Sequence, residues 1–163
     1  MFELPTEASE PEFVDLYGYW RRIAPSGRLP GRQHVDPAEL PPRILSHLLL
    51  LDVVRGPDDL AFRFRLAGTA FAELVGREVT GLCYHEIAAP EQTAAFLTAL
   101  RRIATMREPA YLVEPLSVPS RDYVKIKRLG LPLARDGEMV DMIIGSFLPI
   151  RASGAASAQP RVA

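Results

Sequence analysis

The apolar positions near the start of the chain follow a helical repeat. Between Glu10 and Ala24 they recur at steps of three and four residues, at Phe13, Leu16, Tyr17, Trp20 and Ile23. This spacing predicts a helix with one apolar face, and Pro11 suits its first turn. The helix is expected to end at residues 25–27, and a proline-rich segment with short helical turns follows.

Two extended segments come next. Residues 48–54 are almost continuously apolar and predict a buried strand, and residues 61–67 alternate and predict a half-buried strand. The turn residues between them, 56–59, predict a hairpin. Three apolar positions of the second strand are expected to share one face: Phe62, Phe64 and Leu66.

The middle of the chain is helical. A short helix is predicted over residues 69–75, with Gly76 closing it, and one further turn over residues 84–87. The longest helix is predicted to start at Pro90 and to end near Arg107. Its apolar stripe consists of Phe96, Leu97, Leu100, Ile103 and Ala104.

Three strands are predicted in the last third, over residues 111–118, 123–133 and 138–149. Pro115 indicates that the first lies at an edge or contains a bulge. In the second, the apolar parity changes after Ile126, and a bulge near Arg128 would bring all its apolar residues to one side. The pair at residues 136–137, Asp-Gly, predicts a two-residue hairpin before the last strand.

This order predicts an α+β domain, because two blocks of strands flank a block of helices. We expect a five-stranded antiparallel sheet with the short helices and the longer helix on one face. The N-terminal helix is expected outside that core, as a cover for the other sheet face in its own chain or across a dimer. The predicted divisions are a flexible terminus (1–9), a helix with its connecting segment (10–47), the domain (48–150) and a disordered tail (151–163).

Composition narrows the class of protein. The hydrophobic fraction of 48% is sufficient for a packed core. The net charge of −1 argues against nucleic acid as the main partner. A single cysteine excludes an internal disulfide. The longest apolar run, residues 48–51, is too short to span a membrane, and the acidic start lacks a signal-peptide pattern, so we expect a cytoplasmic protein.

The element order, and several segments within it, resemble the PAS domain family. The segment 68–77 resembles the short PAS helix that ends at a glycine, and residues 144–150 resemble the last PAS strand without its usual Asp-Ile-Thr ending. Residues 16–20, 27–32 and 50–53 look like a bacterial subfamily of stand-alone PAS proteins. The resemblance implies a sensory or regulatory module. From the missing Asp-Ile-Thr ending we expect no attached output domain. The resemblance names no ligand and leaves any cofactor unknown.

In a PAS domain, ligands bind between the sheet and the long helix. The residues expected to line that space here, either as a pocket or as plain core, are Phe62, Phe64, Phe71, Leu74, Tyr84, His85, Phe96, Leu100, Ile103, Ile126 and Ile144. Such a lining would suit a small apolar or planar ligand. The residues expected at an interface with a partner protein or a second copy of the chain are Phe13, Leu16, Tyr17, Trp20, Ile23, Arg28 and Arg32. Alternatively, Arg28 or Arg32 forms an ion pair with Asp36 that fixes the proline-rich segment and does not contact a partner.

No catalytic set or metal site is expected. Cys83 and His85 form the only Cys/His neighbourhood, and the stretch 81–86 does not match the flavin-reactive cysteine motif of light-sensing PAS domains. None of the three histidines lies on the long helix, where haem-binding PAS domains often carry their iron ligand. Three acids fall in or near predicted strands and are expected to face solvent: Asp52, Glu114 and Asp141.

Three functions follow from these patterns. The first is a PAS module that binds a small ligand or a partner and acts through protein–protein interaction in bacterial signalling, as a homodimer through the N-terminal helix. The second is a structural interaction protein with a filled core. The third is a small α+β enzyme, for which only Tyr84 and His85 offer acid–base groups.

Overall fold

The strands form one antiparallel sheet in a computed structural model, which describes residues 3–88, 90–116 and 124–150. The described strands pair in the order β2-β1-β5-β4-β3. Both strand blocks therefore belong to the same sheet, and the predicted fold class is confirmed. The strands are Leu48–Arg55 (β1), Leu60–Ala67 (β2), Ala110–Pro115 (β3), Lys125–Leu133 (β4) and Met142–Ile150 (β5).

The helices lie on the two faces of this sheet. They are Pro11–Ile23 (α1), Pro42–Leu45 (α2), Thr69–Val75 (α3) and Pro90–Met106 (α4), with 3-10 turns at Arg32–His34, Pro37–Glu39 and Tyr84–Glu86. We call the face against α3, the turn at 84–86 and α4 the helix side, and the face against α1 the outer side. The bounds agree with the sequence patterns to within about two residues except at the end of β3 and at the loop before β5.

The helix α1 covers the outer side of the sheet within its own chain. Phe13 is fully buried, Trp20 is 5% exposed, and the Trp20 indole donates a 2.8 Å hydrogen bond to the carbonyl oxygen of Pro132 on β4. The Phe13 ring packs edge-on against Tyr111 on β3. Of the two expected arrangements, a cover in its own chain and a cover across a dimer, the structure shows the first. The stripe residues expected at an interface are therefore buried against the outer side of the sheet.

The residues before α1 also contact this core. Ala8 is fully buried and Leu4 packs against the same apolar cluster. The division of the chain at residue 47 stays a prediction. The expected disordered tail, 151–163, lies outside the described residues, as do the last residues of the predicted strand 111–118 and the first of 123–133.

The pairing of β4 corrects the predicted bulge. Its register is continuous with β5 from Lys125 to Leu133 and with β3 from Lys125 to Gly130. Strand alternation therefore places Ile126, Arg128 and Gly130 together on the helix side. Arg128 is 4% exposed. The predicted bulge would have turned this side chain out of the core, but without the bulge the charged side chain is buried.

The irregularity lies instead between β1 and β2. Leu50 pairs with Leu66, but Leu51 pairs with Phe64, so Arg65 is the extra residue of a bulge. A one-residue shift exchanges the two faces of a strand. Leu66 consequently turns away from Phe64 and is 38% exposed, contrary to the expected shared face. Pro115 lies in β3 at the sheet edge, as expected.

The connection before β5 is longer than a two-residue hairpin. The strand β5 begins only at Met142, so residues 134–141 form a loop. The Asp136 carboxylate accepts hydrogen bonds from the backbone N–H groups of Glu138 and Met139, and these bonds lower its pKa. The loop is also held to the segment after α1, because Ala134 N–H donates to the Pro30 carbonyl at 2.9 Å.

Two glycines face each other where α4 crosses the sheet. Gly130 on β4 pairs with Gly145 on β5. A Cβ on Gly130 would lie 2.6 Å from Cδ1 of Ile103, and a Cβ on Gly145 would lie 2.7 Å from the backbone oxygen of Leu129. The missing side chains therefore leave a notch in the sheet, and Ile103 of α4 fills it.

Two other glycines give a prediction about stability. A Cβ on Gly68 would lie 2.2 Å from the backbone oxygen of Ser46, whereas nothing lies within 4 Å of a Cβ on Gly18 in α1. We expect Gly68→Ala to lower the free energy of unfolding by about 1–3 kcal/mol through this backbone clash. Gly18→Ala is expected to raise it by about 0.5–1 kcal/mol, because alanine favours a helix interior.

Urea unfolding of both variants measures the two effects. If both substitutions changed the free energy of unfolding in the same direction, the close approach of Gly68, after β2, to Ser46, after α2, would be contradicted.

Candidate functional site

The space between the sheet and α4 is almost filled. The inner cavity, as we call it, has a volume of about 30 Å³. That is room for one or two water molecules and not for a drug-sized ligand. Side chains of β1, α4, β4 and β5 line it, among them Leu49, Leu51, Leu100, Ile103, Arg128 and Ile143.

A buried ion pair borders this cavity. Arg128 on β4 and Glu114 on β3 are 4% and 5% exposed, and Nε of Arg128 lies 2.9 Å from Oε1 of Glu114. A second nitrogen of Arg128, Nη2, donates a 3.0 Å hydrogen bond to the hydroxyl of Tyr84. The three side chains thus form a polar cluster inside an otherwise apolar space.

Aromatic rings enclose the guanidinium. Its central carbon lies 4.0 Å from the centre of the Phe96 ring, 5.6 Å from that of Tyr84 and 5.9 Å from that of Phe71. The Phe96 and Tyr84 rings contact each other, with centroids 4.5 Å apart. Ring faces attract a cation within about 6 Å, so this cage partly replaces the water that the arginine has lost.

Two donors of the cluster make no hydrogen bond. They are the buried Nε and Nη1 of Arg128, neither of which has a hydrogen-bond partner in the part of the chain that the structure describes, although Nε lies near Glu114 as an ion pair. Burial raises the pKa of the Glu114 carboxyl group, while the Arg128 guanidinium acts in the opposite direction. Burial likewise raises the pKa of the Tyr84 hydroxyl. The site therefore combines a buried charge pair with unused hydrogen-bond donors.

Most of the predicted pocket residues lie on the helix side. Phe62, Phe64, Phe71, Tyr84, Phe96, Leu100 and Ile103 are buried there, and Leu74 is half-buried against the same core. Phe96, Leu100 and Ile103 line the cavity itself. Ile126 is buried in a separate small cluster with Leu116.

Two of the predicted pocket residues lie elsewhere. Ile143 lines the cavity, so alternation along β5 directs Ile144 to the outer side. His85 is exposed and lines a surface groove with Asp59 and Arg101. Tyr84 also borders this groove, but its hydroxyl accepts a hydrogen bond from Arg128 in the core, whereas His85 is exposed, so the two polar groups do not converge.

The polar residues of the site were predicted in other places. Glu114 was expected to face solvent, and Arg128 was placed at a bulge; both are buried on the helix side. The alternation of Ile126, Arg128 and Gly130 is compatible with a buried arginine, but it fits a bulge equally well. Of the other acids, Asp52 is 9% exposed. Its Oδ2 lies 3.4 Å from Nη2 of Arg63 and 3.2 Å from Nε of Arg65.

The predicted ion pair of the connecting segment is replaced by other contacts. Asp36 accepts a 2.9 Å hydrogen bond from the N–H of Ala38, and its own N–H donates to the Tyr19 hydroxyl at 2.7 Å. Arg32 donates to the carbonyl of Val35 at 3.0 Å. Tyr19, and not an arginine, therefore ties this segment to α1, and Arg28 stays exposed.

Among the described residues, no group of three His, Cys, Asp or Glu side chains is placed to hold a metal ion. Cys83 is half-buried just before the turn at 84–86, and its N–H donates to the Glu86 carboxylate at 2.6 Å. None of the helices in the described ranges is both long and apolar enough to cross a membrane.

Comparison with known proteins identifies the family. A family model described as "PAS domain" matches residues 8–148. The chain belongs to the PAS domain family. The match begins before α1, so it includes both the sheet with its helices and the helix on the outer side. Members of this family are sensory domains and are generally not enzymes.

Solved structures share the fold of this PAS domain. A LOV protein of Rhodobacter sphaeroides is 14% identical with a TM-score of 0.52, and the alignment covers 86% of this chain and 69% of that one. A single-residue variant of RsLOV is 15% identical with a TM-score of 0.53, covering 70% of this chain and 65% of that one. No curated protein matches in sequence.

A flavin of the kind bound by light-sensing PAS domains does not fit the inner space of this chain. The cavity volume of about 30 Å³ is far below that of a three-ring cofactor, and Arg128 with its aromatic cage occupies the surrounding space. Cys83 is not among the cavity-lining residues. We therefore derive no photochemistry for this PAS domain.

Proposed function

We propose that this PAS domain is a sensory or regulatory module that binds a small ligand at Arg128 and acts through protein–protein interaction in bacterial signalling. The proposal includes a cytoplasmic location. The observation that supports it is the buried Arg128–Glu114 pair beside the inner cavity. No enzymatic activity is proposed.

The charge pair is a costly way to fill a core. A buried ion pair repays its desolvation only with good geometry and full hydrogen bonding, and apolar side chains of the same volume often do as well or better. Here two donors of Arg128, Nε and Nη1, make no hydrogen bond with the described chain. A ligand with a carboxylate or similar acceptor would satisfy them, and a planar ring would add contacts with Phe96 and Tyr84.

Binding of such a ligand requires movement. A volume of about 30 Å³ admits a ring only if α4 or the turn at 84–86 shifts away from the sheet. A ligand that binds the open form better than the closed one shifts the balance towards it. Ligand binding would thereby change the protein surface at α4, where a partner can detect it.

Benzoate is a suitable probe because it combines a planar ring with a carboxylate, and benzamide is its uncharged match. We expect benzoate to raise the melting temperature of the full chain and benzamide to have little effect. A ligand at one hundred times its dissociation constant adds about 2.7 kcal/mol of stability. The rise is expected to be larger in Glu114→Gln, where the competing carboxylate is gone.

Asp59→Asn is the matched control, because Asp59 is an exposed acid that pairs with Arg101 away from the inner cavity. It should leave the benzoate response unchanged. Two results together would contradict the ligand proposal. The first is no rise in melting temperature with benzoate, and the second is no small molecule retained in native mass spectrometry of protein purified from its own host.

The second candidate is an interaction protein with a filled core. The cavity volume favours it, since about 30 Å³ is below the roughly 100 Å³ expected of even a small ligand site. The benzoate and native mass experiments separate the two candidates.

A homodimer through α1 is also proposed, but with a different surface from the aromatic stripe. The outward face of α1 carries Val14, which is 47% exposed, and the exposed Gly18 one turn later. Sedimentation velocity of the full chain tests this, and a monomer at all concentrations would exclude it.

A further inference from the structure

A second groove lies beside Arg107, just after the C-terminal end of α4. It has a volume of about 420 Å³ and runs between the end of α1, the segment 24–30 and Arg107. We call it the basic groove, because Arg21, Arg28 and Arg107 line it and no described lining residue is acidic. This is an uneven distribution of charge in a chain whose net charge is −1.

Arg28 is held in place but not neutralised. Its aliphatic carbons lie against Gly137 of the loop before β5, and the neighbouring Leu29 N–H donates to the Gly137 carbonyl at 3.1 Å. Its exposed guanidinium makes no ion pair or hydrogen bond with the described part of the chain. The backbone is thus fixed while the charge is available to another molecule.

Arg107 occupies an unusual backbone position. Its φ of 62° is left-handed, and within the described ranges no other residue except glycine has a positive φ. Glycine is the favoured residue at such a position after a helix. Arg107 donates to Glu138 at 3.1 Å through Nη1, and its buried Nε has no hydrogen-bond partner in the described chain. An arginine in a backbone position that favours glycine points to a role for its side chain.

We propose that the basic groove binds an acidic segment of a partner protein. This deepens the function proposed above, on which it rests, by naming the chemistry of the partner. Arginine forks recognise carboxylates through paired hydrogen bonds, and here they are spread along the groove. Between them the lining is apolar, with Trp20, Leu29 and Pro30. An extended segment of alternating acidic and apolar residues matches this pattern better than a single small anion does.

The test uses the full chain and a short fluorescein-labelled peptide in which glutamate alternates with leucine. The control peptide has glutamine in place of every glutamate. Fluorescence anisotropy is expected to show binding of the acidic peptide only, with an affinity that falls as the salt concentration rises.

Two variants remove the groove's charge in different ways. Arg28→Glu is expected to weaken peptide binding by about tenfold or more. Arg107→Gly removes a guanidinium but suits the left-handed backbone, so binding should weaken while the melting temperature hardly changes. Arg77→Glu changes the net charge by as much as Arg28→Glu does, at an exposed site that does not line the groove, and should have little effect.

Three results would overturn the proposal. An equal loss in Arg77→Glu would show general charge attraction and no site. Competition by inorganic phosphate with an affinity equal to that of the peptide would show a small-anion site. No binding of the acidic peptide would remove the groove as a docking surface. A benzoate response in the same preparation would then still support the ligand site, so the two proposals fail separately.

Discussion

Replacing Arg128 with methionine while Glu114 remains is expected to lower the free energy of unfolding by about 3–5 kcal/mol. The substitution leaves an uncompensated carboxylate at a position that is 5% exposed. It also removes Nη2 of Arg128, which donates a 3.0 Å hydrogen bond to the Tyr84 hydroxyl. Urea unfolding followed by circular dichroism measures the loss.

Most of that loss is expected to be recoverable. In Arg128→Met combined with Glu114→Met, both charges are gone, and apolar residues of similar volume are often as stable as a buried pair. Adding Tyr84→Phe removes the remaining unsatisfied hydroxyl. If the double variant is as unstable as the single one, the pair contributes through its shape and not through its charge.

The exposed pair of Arg101 and Asp59 provides the control. It makes two hydrogen bonds, with Nε and Nη2 of Arg101 3.1 and 2.8 Å from the two carboxylate oxygens of Asp59, but both side chains are more than a third exposed. Arg101→Met is expected to cost less than about 1 kcal/mol, because water screens the interaction. Burial, and not the number of ion-pair contacts, should therefore decide the size of the effect.

Replacing Trp20 with alanine is expected to lower the free energy of unfolding by about 3–5 kcal/mol. The indole is 5% exposed, stacks on Tyr17 and donates to the backbone of β4. The large effect follows because α1 and the sheet share one continuous apolar core. Thermal unfolding should stay a single transition, since α1 has no core of its own.

Val14→Ala on the outward face of α1 is the matched control. At a concentration where the chain is monomeric, it should change stability by less than about 0.5 kcal/mol. A Trp20→Ala variant as stable as Val14→Ala would mean that α1 leaves the sheet in solution. Its aromatic stripe would then be available to a partner, as the sequence pattern alone had indicated.

The element order could be predicted because each element has a clear period. The helical spacing of α1 and α4 and the alternation of β2 are local features, and their bounds were close to those observed. What covers the α1 stripe could not be predicted. An amphipathic helix requires an apolar partner surface, but the pattern does not say whether that surface belongs to its own chain.

The site was missed because of one assumption about charge. Reading β4 with Arg128 outside the core required a bulge, and the real bulge lies at Arg65 in β2. Periodicity cannot distinguish a bulge from a buried arginine, since both interrupt the apolar pattern at the same point. Arg128 can be buried because Glu114, of opposite charge, lies on the neighbouring strand. A single sequence does not show which strands are neighbours.

The facing glycines constrain related chains unequally. The obstacle at position 130 is the tip of a side chain, 2.6 Å away on Ile103, whereas the obstacle at position 145 is a main-chain oxygen. A homologue can therefore carry alanine or serine in place of Gly130 if a smaller residue replaces Ile103 at the same time. No side-chain exchange offers the same relief for Gly145, so substitutions there should be rare whatever the rest of the sequence has become.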